Sequence, residues 1–450
     1  GFLKSSNKFY DGSVNNIDQH KENESSSFSL SSRIAYTEPL SKVMFLELNY
    51  SLKVDNNEAQ RNTFTKRNPV SDTYDSLDAK YSSHFAYNIL TNAGGTNLRF
   101  VFKKINFSFG GSVSNASFNQ QDRFKDTSNK YSFTNFFPSV AFTYKLSKQS
   151  KFSINYNGFT RQPTLQQIQP LNDNNDPLNV AIGNPNITQE FTHSFYAQFN
   201  DYKMLTGRWI WMNGNFTIVD NAISRTENTD ALGRRTYQYV NVDGNYNAWA
   251  WVGCGSKIKK LSLDVGGHIS TNIRHINNYV NGVRNQSNNN SYTAGLEFRY
   301  NSKNEKLSLN FEPEMSYNDN TATISTLTTS YWTNENKFEA SYEFSKKFEI
   351  GTDANWFIRQ RTAVFDRNNN VFQWNAYVSR KFLKNNQLEL RASVFDILNQ
   401  NIGFNRFAQN NYVTEDKYNT IRRYGLLSLT WNFTKSPLTA PAATDILNAK

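Results

Sequence analysis

The chain has 450 residues, of which 15% are aromatic and 19% charged, and its mean hydropathy is −0.68. It contains no run of the roughly 18 apolar residues that a membrane-spanning helix needs, and its single cysteine, Cys254, excludes an intramolecular disulfide and a zinc site built on paired cysteines. The formal net charge of +11 is scattered, often as lysine pairs such as Lys103-Lys104, which argues against nucleic acid and favours anionic lipid or an anionic ligand as the partner.

Alternation of apolar and polar residues with a period of two recurs along the chain and predicts an all-β fold. Between residues 43 and 54, Met44 and Leu46 share one face, whereas Glu47 and Asn49 share the other. A soluble β-sandwich also alternates, but its strands are short. Here the alternating stretches often exceed the roughly 9–11 residues that a tilted strand needs to cross a bilayer. Further stretches of this kind are 105–113, 307–317, 337–345 and 388–394.

The pattern predicts about seventeen strands, joined alternately by short turns and long polar loops. Short turns at one rim and long loops at the other are typical of a large antiparallel transmembrane β-barrel of the bacterial outer membrane. The predicted strands are 28–37, 42–54, 78–102, 105–118, 132–146, 151–161, 188–201, 208–222, 236–257, 261–274, 289–301, 306–318, 330–344, 348–362, 371–382, 387–398 and 422–433. The predicted short turns lie near Glu38–Ser41, Lys103-Lys104, Ser147–Ser150, Lys203–Thr206, Lys259-Lys260, Ser302–Glu305, Ser345–Lys347 and Lys384–Asn386, and the predicted long loops are 55–77, 119–131, 162–187, 223–235, 275–288, 319–329, 363–370 and 399–421.

Three features within the strands carry specific expectations. Gly94-Gly95 predicts a bend or bulge, and Pro313 fits a strand interior only if a bulge accommodates its missing N–H. The eight tryptophans predict an aromatic girdle at the level of the lipid headgroups, with packing in a β core as the alternative. These tryptophans are Trp209, Trp211, Trp249, Trp251, Trp332, Trp356, Trp374 and Trp431.

Strand parity divides the chain into three segments. Bacterial single-chain barrels have an even number of strands and both termini on the periplasmic side, whereas this trace has an odd number and starts on the loop side. Residues 1–27 are therefore expected to form an extracellular loop, 28–433 the barrel, and 434–450 a disordered tail rich in small residues and proline. The odd count and a start at Gly1 without a leader pattern predict that the first strands lie upstream.

Residues that could carry catalysis are few. The five histidines are His20, His84, His193, His268 and His275, and none has metal-ligand spacing. Asp173 and Asp176 lie among asparagines that resemble a calcium loop in composition but lack the spacing and the glycine of an EF-hand. Inward-facing charges are interpreted as a solvated lumen wall. We therefore expect no enzyme, no cofactor and no metal. These charges are Glu47, Asp264, Glu312, Glu314, Glu339, Glu343, Glu389 and Arg391.

Several segments, in this order and spacing, resemble the C-terminal barrel of TonB-dependent receptors of the Bacteroidetes type, over residues 28–433. The first is Phe136-Phe137-Pro138-Ser139-Val140. The second runs from Arg161-Gln162-Pro163 through Gln169-Pro170-Leu171 to Gly183-Asn184-Pro185-Asn186-Ile187. The third joins Phe395-Asp396-Ile397-Leu398-Asn399-Gln400-Asn401 and Arg422-Arg423-Tyr424 to a closing strand that ends at Phe433.

The resemblance implies a barrel of about 22 strands, of which this chain supplies about seventeen and no plug domain or TonB box. It also implies substrate uptake driven by the TonB system, in which a surface lipoprotein can take part. The motif residues look structural, since Gly183 and Pro185 can shape a loop, Asn399 and Asn401 can hydrogen-bond local backbone, and Phe433 resembles an assembly signal. The alternatives are a structural or secretion-linked barrel and a passive channel. The substrate is left open.

Overall fold

A computed structural model of the protein describes residues 1–8, 12–68, 70–168, 179–231, 234–324, 329–362, 370–383, 386–409 and 412–433. One sheet of 22 strands dominates, and a separate two-stranded sheet accompanies it. Among the described residues the one helix is the single turn α1 (Leu165–Ile168). No helix in this part of the chain is long and apolar enough to cross a membrane. The predicted all-β class is confirmed.

The strands follow one another closely along the chain. The first half contains β1 (Phe2–Lys8), β2 (Val14–Pro39), β3 (Met44–Thr65), β4 (Ser76–Leu77), β5 (Ser83–Val101), β6 (Ile105–Asp122), β7 (Thr127–Lys145), β8 (Ser150–Arg161), β9 (Asn179–Ile182), β10 (Glu190–Lys203), β11 (Arg208–Asp220), β12 (Ala222–Thr229) and β13 (Arg235–Val242). The second half contains β14 (Asn245–Ile258), β15 (Leu263–Val280), β16 (Val283–Asn301), β17 (Leu307–Ala322), β18 (Thr329–Ser345), β19 (Phe348–Arg359), β20 (Val371–Phe382), β21 (Leu388–Phe395), β22 (Gly403–Gln409), β23 (Tyr412–Tyr418) and β24 (Tyr424–Trp431).

Most strands of the large sheet form one up-and-down antiparallel wall, the architecture of a transmembrane β-barrel. Four short strands (β4, β9, β12 and β13) attach to it at the loop side, and β9 pairs parallel with β13. The remaining eighteen strands pair consecutively from β1 to β24, and each of the seventeen predicted strands overlaps one of them. The eight predicted short turns all join wall strands at the same rim.

Several predicted boundaries are wrong, and two of them change how the chain is divided. Residues 236–257 form two strands, β13 and β14, because Gly244 adopts a left-handed conformation with a φ of 89° and breaks the run. Residues 1–27 are largely strand, since β1 pairs with the start of β2 and β2 pairs with β3 from Gln19 onward. The apolar run of β2 begins only near Phe28, so its polar outer end has the composition of a loop.

The strands extend far beyond the length that a bilayer requires. The predicted loops 119–131 and 275–288 are mostly strand: β6 and β7 are joined by four residues, and β15 and β16 by the two-residue turn Asn281-Gly282. Both turn residues have positive φ, as an Asn-Gly hairpin requires. Outside the membrane both faces of a sheet contact water, so the sequence loses its period of two although main-chain pairing continues.

Neither predicted bulge is present. Gly94 and Gly95 lie opposite Tyr50 and Asn49 in a register that runs unbroken through β3 and β5. Pro313 pairs with Asn336 of β18, whereas its ladder with β16 is interrupted without a change of register. The proline is thus accommodated by a local loss of pairing to one neighbour.

Each wall strand has a polar face and an apolar face, and residues directly opposite in the ladder share a face. In β16 and β17, Ser291 lies opposite Asn318 and Thr293 opposite Ser316, whereas Tyr292 lies opposite Tyr317. The apolar face carries large exposed side chains, such as Ile269 at 62% exposure, along the whole wall. In a transmembrane barrel this face contacts lipid and the polar face lines the lumen.

Half of the tryptophans contradict the predicted girdle. Trp332, Trp356, Trp374 and Trp431 lie on the apolar face, as predicted. Trp209, Trp211, Trp249 and Trp251 alternate with apolar neighbours and share the polar face with Asn213 and Asn215. Around Trp249 both faces of the strand are apolar, in the sequence Ala248-Trp249-Ala250-Trp251-Val252, so alternation alone could not assign the face there.

Two edges of the wall are unpaired among the described residues. Residues 22–39 of β2 have a partner only in β3, and β24 has a partner only in β21. Both strands run from the loop side to the short-turn side, so they cannot pair antiparallel with each other. Closure of the barrel requires an odd number of strands between these two edges.

The faces can be tested by introducing a charge. We expect Ile269→Lys to destabilise the folded protein in lipid vesicles by about 2–4 kcal/mol, because the ammonium would enter the hydrocarbon region. The adjacent Ser270→Lys on the polar face serves as the matched control and should change stability by less than about 1 kcal/mol. Urea unfolding followed by tryptophan fluorescence measures both, and equal effects would contradict the assignment of faces.

The position of the tryptophans can be tested with brominated phospholipids, which quench only rings that contact lipid. A variant that keeps only Trp332, Trp356, Trp374 and Trp431 should be quenched strongly. The complementary variant, which keeps Trp209, Trp211, Trp249 and Trp251, should be quenched weakly and respond instead to a soluble quencher. Strong lipid quenching of the complementary variant would show that all eight tryptophans contact lipid, as the sequence predicts.

Candidate functional site

The buried apolar residues are gathered at the loop end of the wall, where two large cavities lie. The first, called the loop cavity, has a volume of about 770 Å³ and lies between the outer ends of β5, β6 and β7 and the residues 163–168 and 185–188. The second, called the polar cavity, has a volume of about 820 Å³ and is lined by β10, β12 and β15. Both volumes lie in the range of small-molecule sites.

An aromatic cluster forms one wall of the loop cavity. Phe118 is 2% exposed, and its ring stacks on Tyr131 at 5.0 Å and meets Phe133 edge-on at 5.5 Å. Tyr87 is also buried and its hydroxyl lies 3.2 Å from that of Tyr131. These residues share the polar face with the serines and asparagines below them, so the lumen wall changes from neutral polar to aromatic toward the loops.

Residues 162–168 and 183–188 lie beside this wall, and Glu190 anchors the strands that flank them. Arg161 Nε donates to Glu190 Oε1 at 2.5 Å, and the other carboxylate oxygen accepts the backbone N–H of Ile223 at 2.9 Å. One buried carboxylate therefore joins β8, β10 and β12. Beside it, Ile168 and Ile187 pack with Ile223 and Tyr239 in a small apolar cluster.

The remaining residues of this motif also make specific contacts. The Asn184 side chain donates to the Tyr239 carbonyl at 2.9 Å, and the Gly183 carbonyl accepts from Gln238 at 3.3 Å. Pro163 and Pro185 line the loop cavity. The structure thus brings Arg161, Pro163, Gly183, Asn184 and Pro185 to one region, whereas Gln169-Pro170-Leu171, Asp173 and Asp176 lie outside the described residues.

The closing motif forms a compact turn at the loop end of β21. Asp396 is 5% exposed and its carboxylate accepts the backbone N–H groups of Gln400 at 2.8 Å and Asn401 at 3.0 Å. The Asn401 amide donates to the Ile421 carbonyl at 3.0 Å, and Asn399 Oδ1 accepts the Arg423 N–H at 3.3 Å. These contacts join the start of the excursion 396–423 to its end, so we infer a structural role for the motif.

Phe433 lies beyond the last described strand residue and is 75% exposed. Its ring contacts Trp431 at a centroid distance of 5.8 Å. The contact places an aromatic pair at the short-turn rim of the apolar face, where headgroup-level aromatics are expected. A role of Phe433 in assembly stays a prediction.

The polar cavity contains charges that neutralise one another. Glu227 is 4% exposed and lies 3.1 Å from Arg225 Nε and 3.8 Å from Arg235. The Arg225 guanidinium also lies over the Tyr237 ring at 3.8 Å. Buried charges are stable only when paired in this way, so this cavity offers a ligand few free charges.

The lumenal charges lower on the wall are dispersed. His268 lies 3.5 Å from Glu314 and stacks on Trp251, and the Trp209 ring covers Gly255 so closely that a Cβ there would lie 2.6 Å from it. Among the described residues no group of three or more His, Cys, Asp or Glu side chains is placed to hold a metal ion. The inward-facing carboxylates are consistent with a solvated wall.

A polar contact outside the strands ties the outer hairpin of β1 and β2 to the loop 66–75. The Tyr74 hydroxyl donates to Asp18, and Lys66 lies 3.2 Å from the same carboxylate. The hydrogen bond to Asp18 raises the pKa of Tyr74 and likewise raises the pKa of Lys66. Tyr74 also contacts Phe2 and His20, so the extension of the wall is packed rather than loose.

These features define the molecule as a transmembrane β-barrel wall with packed outer loops. A model of the outer membrane protein beta-barrel family matches residues 3–431. The chain belongs to this family, and the protein is located in the bacterial outer membrane, as the sequence predicts.

Solved structures resemble parts of the fold at low identity. A chain in the structure of the RagAB peptide importer in the closed-closed state is 9% identical over 84% of this chain, with a TM-score of 0.40. A P. aeruginosa FpvA chain bound to heterologous pyoverdines is 9% identical over 92% of this chain and 66% of that chain, with a TM-score of 0.29. The ferric-catecholate import receptor Fiu from E. coli K12 is 8% identical over 94% and 83%, with a TM-score of 0.29. This chain spans only 59% of the RagAB chain, and no curated protein matches it.

Sequence reasoning missed several residues of the loop end. Glu190 is a single carboxylate at a strand start, and only its pairing with Arg161 reveals its role. Gln120 and Ser83 lie in stretches that read as loop or strand edge, yet they are 7% and 6% exposed. What identifies these two residues is the burial of their polar side chains, and a sequence pattern does not show burial.

The structural role of the closing motif can be tested at Asp396. We expect Asp396→Ala to lower the free energy of unfolding by about 2–4 kcal/mol, because two backbone N–H groups lose their acceptor in a buried turn. Asp72→Ala, at a fully exposed carboxylate, is the control and should have little effect. Denaturant unfolding in detergent measures both. If the Asp396→Ala protein were as stable as the control, the motif would have no stabilising role.

Proposed function

We propose that the protein is an outer-membrane receptor that binds a substrate at its loop end and admits it through the lumen. The observation that supports this proposal is the covered loop end. Ile168 and Ile187 are buried at the loop end, and Pro163 and Pro185 line the cavity beside them. A pore for passive diffusion needs an open mouth, whereas packed loops that enclose cavities suit binding before passage.

The energy source and partners form a second part of the proposal. Passage through a covered lumen against a gradient requires a conformational change driven from outside the barrel. By resemblance, the TonB system would supply that energy and a surface lipoprotein would assist capture. The proposal includes no enzymatic step, no cofactor and no metal.

The proposal can be tested by comparing solute accumulation in cells that contain or lack the protein. We expect deletion to abolish accumulation of a narrow set of medium components, and a protonophore to abolish the same accumulation in the parent strain. As the control, re-expressed protein should restore accumulation. Uptake that survives the protonophore would favour a passive channel, and unchanged accumulation with a defect in secretion would favour a secretion-linked barrel.

A further inference from the structure

The loop cavity has one wall that is aromatic and another that is apolar. Phe85, Tyr131 and Phe133 line it from the strands, and Pro163, Ile168, Pro185 and Ile187 line it from the segment above. Phe85 is 6% exposed, so the floor is held rigidly by the surrounding sheet. Tyr131 and Phe133 lie at 70° to each other with ring centroids 5.6 Å apart, so a planar ring that stacks on one of them meets the other edge-on.

Two polar side chains within the cavity have no partner. Gln120 and Ser83 line the cavity and are 7% and 6% exposed. Neither side chain makes a hydrogen bond to another described residue, although the serine beside Ser83, Ser82, is fully engaged with Asp78 and Thr63. Their amide and hydroxyl are not among the fully buried polar atoms of the described residues, so both remain accessible from the cavity and can pair with a ligand or with water.

Two cations lie at the mouth of the cavity. Lys80 and Lys125 line the opening, and neither ammonium forms an ion pair with a described residue, although that of Lys80 lies over the Tyr81 ring at 5.3 Å. The nearest carboxylate in the lining, Asp122, is engaged by the backbone N–H groups of Phe124 and Lys125. Because the two lysines outnumber the charge of Asp122, the rim presents a net positive charge beside an aromatic interior.

We propose that the loop cavity binds a small anionic ligand that carries an aromatic ring and an amide or hydroxyl group. The ring stacks on Tyr131 and meets Phe133 edge-on, the polar group hydrogen-bonds to Gln120 and Ser83, and Lys80 and Lys125 hold the anion. This inference rests on the proposed receptor function, because it assigns a substrate class to the loop end. It is distinct from the polar cavity, where Arg225 is already paired with Glu227 and Arg161 with Glu190.

N-acetyl-tryptophan combines the three required groups and serves as the probe. We expect it to bind the full chain in lipid nanodiscs with a Kd on the order of 0.1 mM, as measured by calorimetry. N-acetyl-tryptophanamide keeps the ring and the amide without the charge and should bind about 10-fold more weakly. N-acetyl-alanine keeps the charge without the ring and should bind at least as weakly.

The lysines are tested by the double variant Lys80→Gln, Lys125→Gln. It should weaken binding of the acid about 10-fold, to the level of the neutral amide, and leave binding of the amide unchanged. The matched control, Lys103→Gln with Lys104→Gln, removes the same charge at the short-turn rim and should have no effect. Equal loss in both double variants would show non-specific attraction and overturn the proposal.

The buried amide is tested by Gln120→Met, which keeps the length of the side chain. Because Gln120 has no protein partner, folding should be unaffected, whereas the acid and the amide should both bind about 5-fold more weakly. Unchanged affinity would overturn the role of Gln120. If the wild-type chain folds in nanodiscs and binds no probe, the site is refuted while the uptake proposal stands; bound probe without uptake in cells refutes the uptake proposal alone.

Discussion

The structure depends on one constraint: in a membrane, every main-chain N–H and C=O must find its partner within the protein. The wall meets it by continuous antiparallel pairing from β1 to β21 and on to β24. Because pairing fixes the register, it also fixes which side chains share a face, and a shift by one residue would exchange lipid and lumen faces. The interruption at Pro313 is tolerated because β18 still pairs with that residue.

The same pairing continues beyond the membrane and builds the binding region. The outer ends of β5, β6 and β7 lie beyond the lipid. There the face that is polar lower on the wall carries Phe118, Tyr131 and Phe133. Loops that fold inward then bury this aromatic surface and create cavities. The barrel wall thus supplies rigid support, and the proposed ligand chemistry lies at its outer end.

The sequence was sufficient for the part of the fold that lipid determines. Alternation located all the membrane-crossing strands and the short turns, because one face of each must be apolar. It failed where that requirement ends: the outer half of β2 and the hairpin at Asn281-Gly282 read as loops. It also failed at Trp249 and Trp251, where both faces are apolar and only the pairing with Asn213 and Asn215 assigns the face. The loop cavity depends on contacts between distant segments, which no local pattern records.

The central claim is that one face of the wall contacts lipid and the other contacts water, and that this division stops where the strands leave the membrane on the loop side. Spin labels placed singly along β16, from residue 283 to residue 299, test it through their accessibility to oxygen and to a water-soluble nickel complex. Labels at Tyr292, Ala294 and Leu296 should be more accessible to oxygen, and labels at Ser291, Thr293 and Glu297 more accessible to nickel. Labels at residues 283–288 should not alternate in this way, because neither face of the strand contacts lipid there. Uniform accessibility to nickel between residues 290 and 299 would contradict a membrane-spanning wall.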